Sequence, residues 1–155
     1  TPEDAINFVG ATRYAPEGHR SSGPTRALMV HGANYHEEAN EKIISLAMIE
    51  TVEALENVEK IAATEGLTGI YIGPSDLSIS MGFNPGLDRV EPEMISAINK
   101  IYDACKNNNI KVGIHCLSPS YLKEKLSNGY DLATLASDVR IYAEGLSNKI
   151  KEARS

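Results

Sequence analysis

The sequence predicts an α/β protein, and two observations define that class. Four apolar segments of strand length, at about 43–49, 68–73, 110–116 and 130–136, are each followed by a segment with helical spacing of apolar residues. Apolar strands that alternate with helices imply a parallel sheet covered on both faces. We therefore predict half of a (β/α)8 barrel, one helix and then four βα units, as a single domain over residues 1–155. A small open doubly wound parallel sheet is the alternative, but an opening helix without a preceding strand favours the half barrel.

The amino-terminal residues have the pattern of a helix start. Thr1-Pro2-Glu3-Asp4 combines a hydroxyl cap, a proline at the first helical position and acids in the first turn. We expect this helix to run to about residue 12. Residues 14–34 are rich in Gly and Pro, which predicts a long loop, and long ordered loops are often functional. A short polar helix is expected at about 36–42, just before the first strand.

Helical spacing marks the segments that follow the strands. After the first and second strands, apolar residues recur every three or four positions, at Val52, Leu55, Val58, Ala62 and at Ile95, Ile98, Ile101, Cys105. Ser118 followed by Pro119 predicts the start of the next helix. The last helix should begin near Asp138 and carry an apolar side made of Val139, Tyr142, Leu146 and Ile150.

Composition narrows the classes of function. The net charge is −6 and no cluster of Lys and Arg stands out, which argues against nucleic acid or an anionic membrane as the partner. No apolar run approaches the roughly 18 residues of a membrane span. The polar, proline-containing first residues do not resemble a signal peptide, so a cytoplasmic protein is expected. Cys105 and Cys116 lack a regular spacing and are expected to be reduced core residues.

Two of the predicted strands end at a carboxylate. Glu50 follows the first strand, and Asp76 follows the second after Gly73-Pro74-Ser75. If the strands are parallel, both acids emerge at the carboxyl edge of the sheet, where α/β proteins place their chemistry. Two carboxylates with room for water and substrate oxygens suit a hard divalent cation such as Mg²⁺ or Mn²⁺. The competing interpretation is that each acid only caps the helix that follows it.

Gly73-Pro74-Ser75 favours a binding role over a capping role. Gly lets a ligand approach the backbone closely, and Pro restricts the residue before it. The backbone amides of Ser75 and Asp76 could then face an anion at the start of a helix.

The histidines and arginines have more ordinary interpretations. His115 lies inside a predicted strand, and we take it as a structural or wall residue instead of a catalytic base. His31 and His36 are poorly spaced for one helical face, and His19 lies in the Gly-rich loop. The arginines that flank this loop could clamp a substrate carboxylate. We prefer surface salt bridges or a subunit contact for these three, Arg13, Arg20 and Arg26.

Three segments together resemble the HpcH/HpaI family of class II, metal-dependent pyruvate aldolases. They are ATRYAPEGHRSSGPTRA, LAMIETVEALENVEKIAATEGLTGIYIGPSDLSISMG and GYDLATLASD, and the resemblance covers essentially the whole chain. That family includes 4-hydroxy-2-oxoheptanedioate aldolase and 2-keto-3-deoxy-sugar-acid aldolases. The resemblance implies a TIM barrel of the phosphoenolpyruvate/pyruvate type. It also implies reversible retro-aldol cleavage of a 4-hydroxy-2-oxo acid to pyruvate and an aldehyde, through a metal-stabilised pyruvate enolate.

The same resemblance implies roles for individual residues. Glu50 and Asp76 would be the two protein ligands of a divalent cation, Mg²⁺, Mn²⁺ or Co²⁺. The backbone at Ser75 and Asp76, next to Gly73 and Pro74, would hold the pyruvate carboxylate. A cation chelated by the keto oxygen and carboxylate would stabilise the enolate as a Lewis acid. Intact family members are expected to be homo-oligomers, either trimers or hexamers.

Three departures from the family pattern qualify these roles. The substrate-contacting Arg and the proton-transfer His of the family lie in an amino-terminal portion with no counterpart here, so no catalytic residue is assigned. We expect the chain to be the carboxyl-terminal part of an aldolase, weakly active or inactive alone. Met48 stands where some members have a pocket-lining Gln. Ala136-Ser137-Asp138 stands where a Gly-x-Asp pattern is expected.

Two alternative functions remain open at this point. A citrate-lyase-like or malyl-CoA-type lyase would also use the Glu and Asp for Mg²⁺, but it would need a basic patch for the CoA phosphates. A non-catalytic assembly module would use Glu50 and Asp76 as helix caps. Replacing such a cap would change stability by about 1 kcal/mol without altering metal affinity.

Overall fold

A computed structural model describes all residues, 1–155, as four strands and nine helices. The strands are β1 (Leu46–Ile49), β2 (Gly69–Ile72), β3 (Lys111–Cys116) and β4 (Leu132–Leu135). The helices are α1 (Pro2–Thr12), α2 (Thr25–His31), α3 (Tyr35–Lys42), α4 (Val52–Glu56), α5 (Val58–Ala62), α6 (Pro74–Ser80), α7 (Pro92–Asn107), α8 (Pro119–Ser127) and α9 (Asp138–Arg154). All four predicted strands are present, each within its predicted range. None of the nine helices combines the length and the apolar composition that a membrane span requires.

The four strands form one parallel sheet in the order β1-β2-β3-β4. This order follows the chain without reversal, whereas a doubly wound sheet reverses its order at a switch point. The doubly wound alternative is therefore wrong. A sheet that grows in one direction, with a helical connection after each strand, is a section of a (β/α)8 barrel wall.

Helices cover only one face of this sheet. The side chains on that face are almost completely inaccessible to solvent: Ile49, Ile70, Ile72, Val112, Ile114 and Cys116. The alternate residues point to the other face, where Met48 is 52% exposed and Tyr71 and His115 are half-buried. The expectation of helices on both faces was wrong, because the second face of a barrel wall is its interior.

The core lies between the sheet and helices α5 and α7. In α7 the buried residues are Met94, Ala97, Ile98, Ile101, Ala104 and Cys105, whereas Ile95 is 42% exposed. The inward stripe thus begins at Met94 and not, as predicted, at Ile95. Cys105 and Cys116 are free and buried, as expected, and burial raises the pKa of Cys105 to about 12 and that of Cys116 to about 11.

The helix starts follow their capping signals closely. Thr1 forms a capping box with Asp4, because the Asp4 amide donates to Thr1 Oγ1 and the Asp4 carboxylate accepts from Thr1. Ser118 caps α8 by accepting from the Tyr121 amide. Residues 14–34, predicted as loop only, contain α2, which begins directly after Pro24. The helix after β1 is divided in two at Asn57.

The apolar side predicted for the last helix is present but has nothing packed on it. Val139, Tyr142, Leu146 and Ile150 of α9 are between 42% and 72% exposed. Ser137 starts this helix by accepting a hydrogen bond from the Arg140 amide.

A charged cluster fastens the amino end of β4 to β3. Asp131 accepts hydrogen bonds from Lys111 (2.9 Å), Lys106 (3.1 Å) and the Val112 amide (3.1 Å). Partial burial alone would raise the pKa of this carboxyl, but the hydrogen bond from Lys111, with those from Val112 and Lys106, lowers it to about 2. The ionised carboxylate therefore stabilises the fold above its ordinary pKa of 3.8.

We predict that Asp131→Asn lowers the free energy of unfolding by about 1–2 kcal/mol at pH 7, after allowance for solvent screening of the partly exposed carboxylate. In the parent chain this contribution should disappear as the pH falls from about 4 to 2, and the variant should lack that loss. Urea unfolding across this pH range measures both effects. Asp103→Asn, at an exposed acid of α7 without an ion pair, is the control. Equal acid sensitivity of parent and Asp131→Asn would contradict this assignment.

Candidate functional site

Glu50 projects from the carboxyl end of β1 on the face opposite the helices. Its neighbour Ile49 is buried toward the helices, so alternation directs Glu50 to the other side with Met48. The cap of α4 is Thr51, whose hydroxyl accepts from the Ala54 amide at 3.1 Å. Glu50 itself accepts no hydrogen bond and forms no ion pair within the chain. The interpretation of Glu50 as a helix cap is therefore wrong.

Gly73 leaves the space that the Glu50 side chain occupies. The register pairs Ile49 with Ile72, and the Gly73 amide donates to the Ile49 carbonyl at 3.1 Å. A Cβ atom on Gly73 would lie 3.0 Å from Glu50 Oε2 and 3.1 Å from Glu50 Cβ. The Glu50 carboxylate consequently rests directly over the backbone that leads into α6.

Asp76 lies in the first turn of α6 with its side chain exposed. The cap residue of this helix is Gly73, and no side chain makes a capping hydrogen bond. Capping by Ser75 or Asp76 is thus also wrong. Pro74 takes the first helical position, and Leu77 is the first residue whose amide bonds back, to the Gly73 carbonyl at 3.1 Å. The amides of Ser75 and Asp76 therefore have no acceptor within the helix.

One contact fixes the two acid-bearing turns relative to each other. Ser80, at the end of α6, accepts a hydrogen bond from the Val52 amide at 2.9 Å, at the start of α4. Together with the β1–β2 pairing, this contact places Glu50 and the Gly73–Asp76 turn at the same edge of the sheet. The edge combines two free carboxylates with two free backbone amides.

This donor set fits a hard divalent cation. Two carboxylates without competing hydrogen bonds offer oxygen ligands, and an exposed edge leaves room for waters and substrate oxygens to complete the coordination shell. No group of three or more His, Cys, Asp and Glu side chains is placed to share a metal. Glu50 and Asp76 would offer two protein ligands, and Mg²⁺ commonly keeps several waters beside one or two carboxylates.

Arg13 has neither of the roles considered from the sequence, a clamp on a substrate carboxylate or a surface contact. It is 6% exposed and donates to the carbonyls of Ile43 (3.0 Å) and Gly66 (2.9 Å) and to Ser45 Oγ (3.5 Å). It thereby ties the end of α1 to the amino ends of β1 and β2, far from the carboxyl edge.

The other two arginines form no salt bridge either. Arg20 lies 4.8 Å from the centre of the Tyr14 ring and donates to Tyr35 Oη at 3.3 Å, while Arg26 is exposed. His31 stacks on Tyr35, and His36 lies against Tyr14. The long segment after α1 is thus an aromatic cluster that packs on itself.

One polar group on the Glu50 side of the sheet was not predicted from the sequence. His115 Nδ1 lies 2.8 Å from Thr134 Oγ1 and 3.2 Å from Tyr71 Oη. The three residues come from β3, β4 and β2, so no local motif connects them. Strand alternation was the available signal, because it places all three on the face that carries Glu50.

Ala136, directly after β4, stands where the Gly-x-Asp pattern has glycine. Ala136 has φ 44°, in the left-handed region that favours glycine, and its amide donates to the Cys116 carbonyl at 2.7 Å. A residue with a Cβ atom is strained in this conformation, whereas the family pattern places glycine there.

The fold defines a parallel (β/α) barrel segment, and its carboxyl edge carries two carboxylates without a partner in the chain. Residues 1–144 match the sequence family described as HpcH/HpaI aldolase/citrate lyase. The chain belongs to this family.

Named relatives agree with this assignment. Hydroxypyruvate/pyruvate aldolase of Rhizorhabdus wittichii is 36% identical over all 155 residues, which span 62% of that protein. The 2-keto-3-deoxy-L-rhamnonate aldolase of Salmonella paratyphi A is 34% identical over 97% of the chain and 57% of its own length. A solved HpcH/HpaI family protein of Burkholderia cenocepacia superimposes with a TM-score of 0.87 at 28% identity, over the whole chain and 62% of that structure. The chain thus spans about three-fifths of the length of these relatives.

We predict that Ala136→Gly raises the free energy of unfolding by about 0.5 kcal/mol. Relief of the left-handed strain, about 1 kcal/mol, should exceed the entropy that glycine adds to the unfolded chain. Ala133→Gly, inside β4 at an ordinary φ, should instead destabilise the fold. Thermal and urea unfolding of both variants test this, and equal destabilisation by the two would contradict the strain at Ala136.

Proposed function

We propose that the protein is a class II, divalent-metal-dependent aldolase, a carbon–carbon lyase of which this chain supplies the metal-binding half. The reaction is the reversible cleavage of a 4-hydroxy-2-oxo acid to pyruvate and an aldehyde. The observation that carries the proposal is the placement of Glu50 and Asp76 at one sheet edge, where neither acid caps a helix or has a partner. The names of the two relatives, both aldolases, support the same class.

Glu50 and Asp76 would hold the cation, with Mg²⁺, Mn²⁺ and Co²⁺ all compatible with carboxylate and water ligands. A bound divalent cation supplies a Lewis acid that lowers the energy of the negative charge on a pyruvate enolate. The two side chains also orient it, because Glu50 is seated over Gly73 and Asp76 is held in the first turn of α6.

The turn before α6 would bind the pyruvate carboxylate. The free amides of Ser75 and Asp76 point out of the helix start and can donate to an anion. Gly73 presents no side chain to obstruct the approach of a ligand. Pro74 is buried and fixes the backbone that carries these donors.

The rest of the active site would come from outside this chain. The relatives extend beyond the residues matched here, and the family's substrate-contacting Arg and proton-transfer His belong to that additional portion. We therefore expect weak or no turnover from the 155 residues alone. A citrate-lyase-like or malyl-CoA-type reaction is the alternative within the family. Cytoplasmic location and assembly into trimers or hexamers stay predictions.

A titration with Mn²⁺ in the presence of pyruvate tests the proposed site. We expect Glu50→Gln and Asp76→Asn each to weaken Mn²⁺ binding by at least about 100-fold, more than the loss of an outer-shell partner, while circular dichroism shows an unchanged fold. Glu53→Gln, at an exposed acid in the first turn of α4, is the matched control and should bind like the parent.

Two outcomes would contradict the proposal. One is Mn²⁺ affinity that survives both substitutions. The other is the absence of binding both in this chain and in a form extended to the length of its relatives. Binding by the extended form alone would support the proposal and show that the additional portion completes the site.

We further predict that Gly73→Ala lowers Mn²⁺ affinity by about 10-fold without loss of the fold. The backbone at Gly73 has φ −100°, which alanine adopts freely, so the new Cβ atom should displace the Glu50 carboxylate and leave the turn intact. Gly23→Ala is the control, since a Cβ atom there meets no atom within 4 Å. Unchanged affinity in Gly73→Ala would mean that the Glu50 position over Gly73 has no role in metal binding.

A further inference from the structure

A pocket with basic side chains in its wall lies on the segment between α1 and β1. Its volume is about 740 Å³, within the range of about 300–1,000 Å³ that small-molecule sites occupy. Arg20, Arg26 and His31 line this pocket, and no acidic residue does. Positive charge without neighbouring carboxylates attracts anions, even though the chain as a whole has a net charge of −6.

The guanidinium group of Arg20 is fixed in position and keeps most of its donors free. The Arg20 backbone amide donates to the Arg13 carbonyl at 2.9 Å, and the guanidinium carbon lies 4.8 Å from the centre of the Tyr14 ring. Nη1 donates to Tyr35 Oη at 3.3 Å, whereas Nε and Nη2 have no acceptor within the chain. A half-buried arginine that is held by aromatic rings and has free N–H groups is well suited to bind an anion.

Arg26 and His31 add donors from α2 to the same pocket. Arg26 is exposed and forms no ion pair, and the His31 ring stacks on Tyr35 with the ring centres 5.6 Å apart. Glu38, the acid that interacts with His31, is itself paired with Lys42. The pocket therefore combines an imidazole with two guanidinium groups that no carboxylate of the chain pairs with.

We propose that this pocket binds the phosphate group of a small phosphate monoester. A single guanidinium group satisfies both oxygens of a carboxylate in a bidentate pair, whereas a phosphate group offers three acceptor oxygens and nearly two negative charges. Two arginines with an additional ring donor match the phosphate group better than the carboxylate. Pro24, Ala27 and Val30 line the rest of the pocket and present apolar surface to the organic part of the ligand.

This pocket is separate from the proposed metal site. Arg13 joins the segment that carries the pocket to the amino ends of β1 and β2, whereas Glu50 and Asp76 lie beyond the carboxyl ends of these strands. The phosphate group would be held by protein side chains and not through a metal ion. The proposal consequently does not depend on the aldolase reaction.

Titration with glycerol 3-phosphate, followed by ¹H–¹⁵N NMR of the arginine Nε–H groups, tests the pocket. A chelating resin removes divalent cations beforehand, and about 0.15 M salt screens nonspecific attraction. The Nε–H signals of Arg20 and Arg26 should shift and saturate. Arg20→Gln and Arg26→Gln should each weaken binding by about 10-fold, the value of a charge-assisted hydrogen bond. Arg26 is exposed, so its replacement should leave the circular dichroism spectrum unchanged.

The matched control is Arg140→Gln, at an exposed arginine of α9 without an ion pair, which should bind like the parent. Asp76→Asn should also bind like the parent, so a failure of the proposed metal site would leave this proposal intact. Affinity that is unchanged in both Arg20→Gln and Arg26→Gln, or no binding in the millimolar range, would overturn the proposal. Shifts at the backbone amides of Ser75 and Asp76, with none at the arginines, would place the anion at the start of α6 and overturn it as well.

Discussion

The pairing of β1 with β2 is the constraint on which the site depends. The ladder ends with the hydrogen bond from the Gly73 amide to the Ile49 carbonyl, which brings the residue after β1 next to the turn after β2. A slip of one residue would turn Glu50 into the helix-covered face and bury a charge there. The register that buries Ile49 and Ile72 is therefore the same register that places Glu50 over Gly73.

The amino end of this strand pair is held by a buried cation. Arg13 has no carboxylate partner, and its charge is compensated by the carbonyls of Ile43 and Gly66 with help from Ser45. Taking a charge out of water without such acceptors would cost several kcal/mol. Arg13 consequently fixes where β1 and β2 begin, and Gly73 fixes how they end. Together these two residues determine the positions of Glu50 and Asp76.

Local signals predicted the elements near the site well. Strand positions, the Thr1 and Ser118 caps, and the emergence of Glu50 and Asp76 at one edge all followed from short patterns with a known geometry. The features that were missed depend on residues distant in sequence. Arg13 meets acceptors 30 to 53 residues away, and Tyr71 meets partners 44 and 63 residues away. The uncovered sheet face was also unpredictable, because an apolar strand pattern does not distinguish helices from other strands as the covering layer.

The most direct test of the account is anomalous diffraction from crystals grown with Mn²⁺ and pyruvate. We predict one manganese peak bonded to the carboxylates of Glu50 and Asp76, with the pyruvate carboxylate at the amides of Ser75 and Asp76. Manganese bound elsewhere, or bound at this edge by only one of the two acids, would contradict the claim that the β1–β2 pairing builds the metal site.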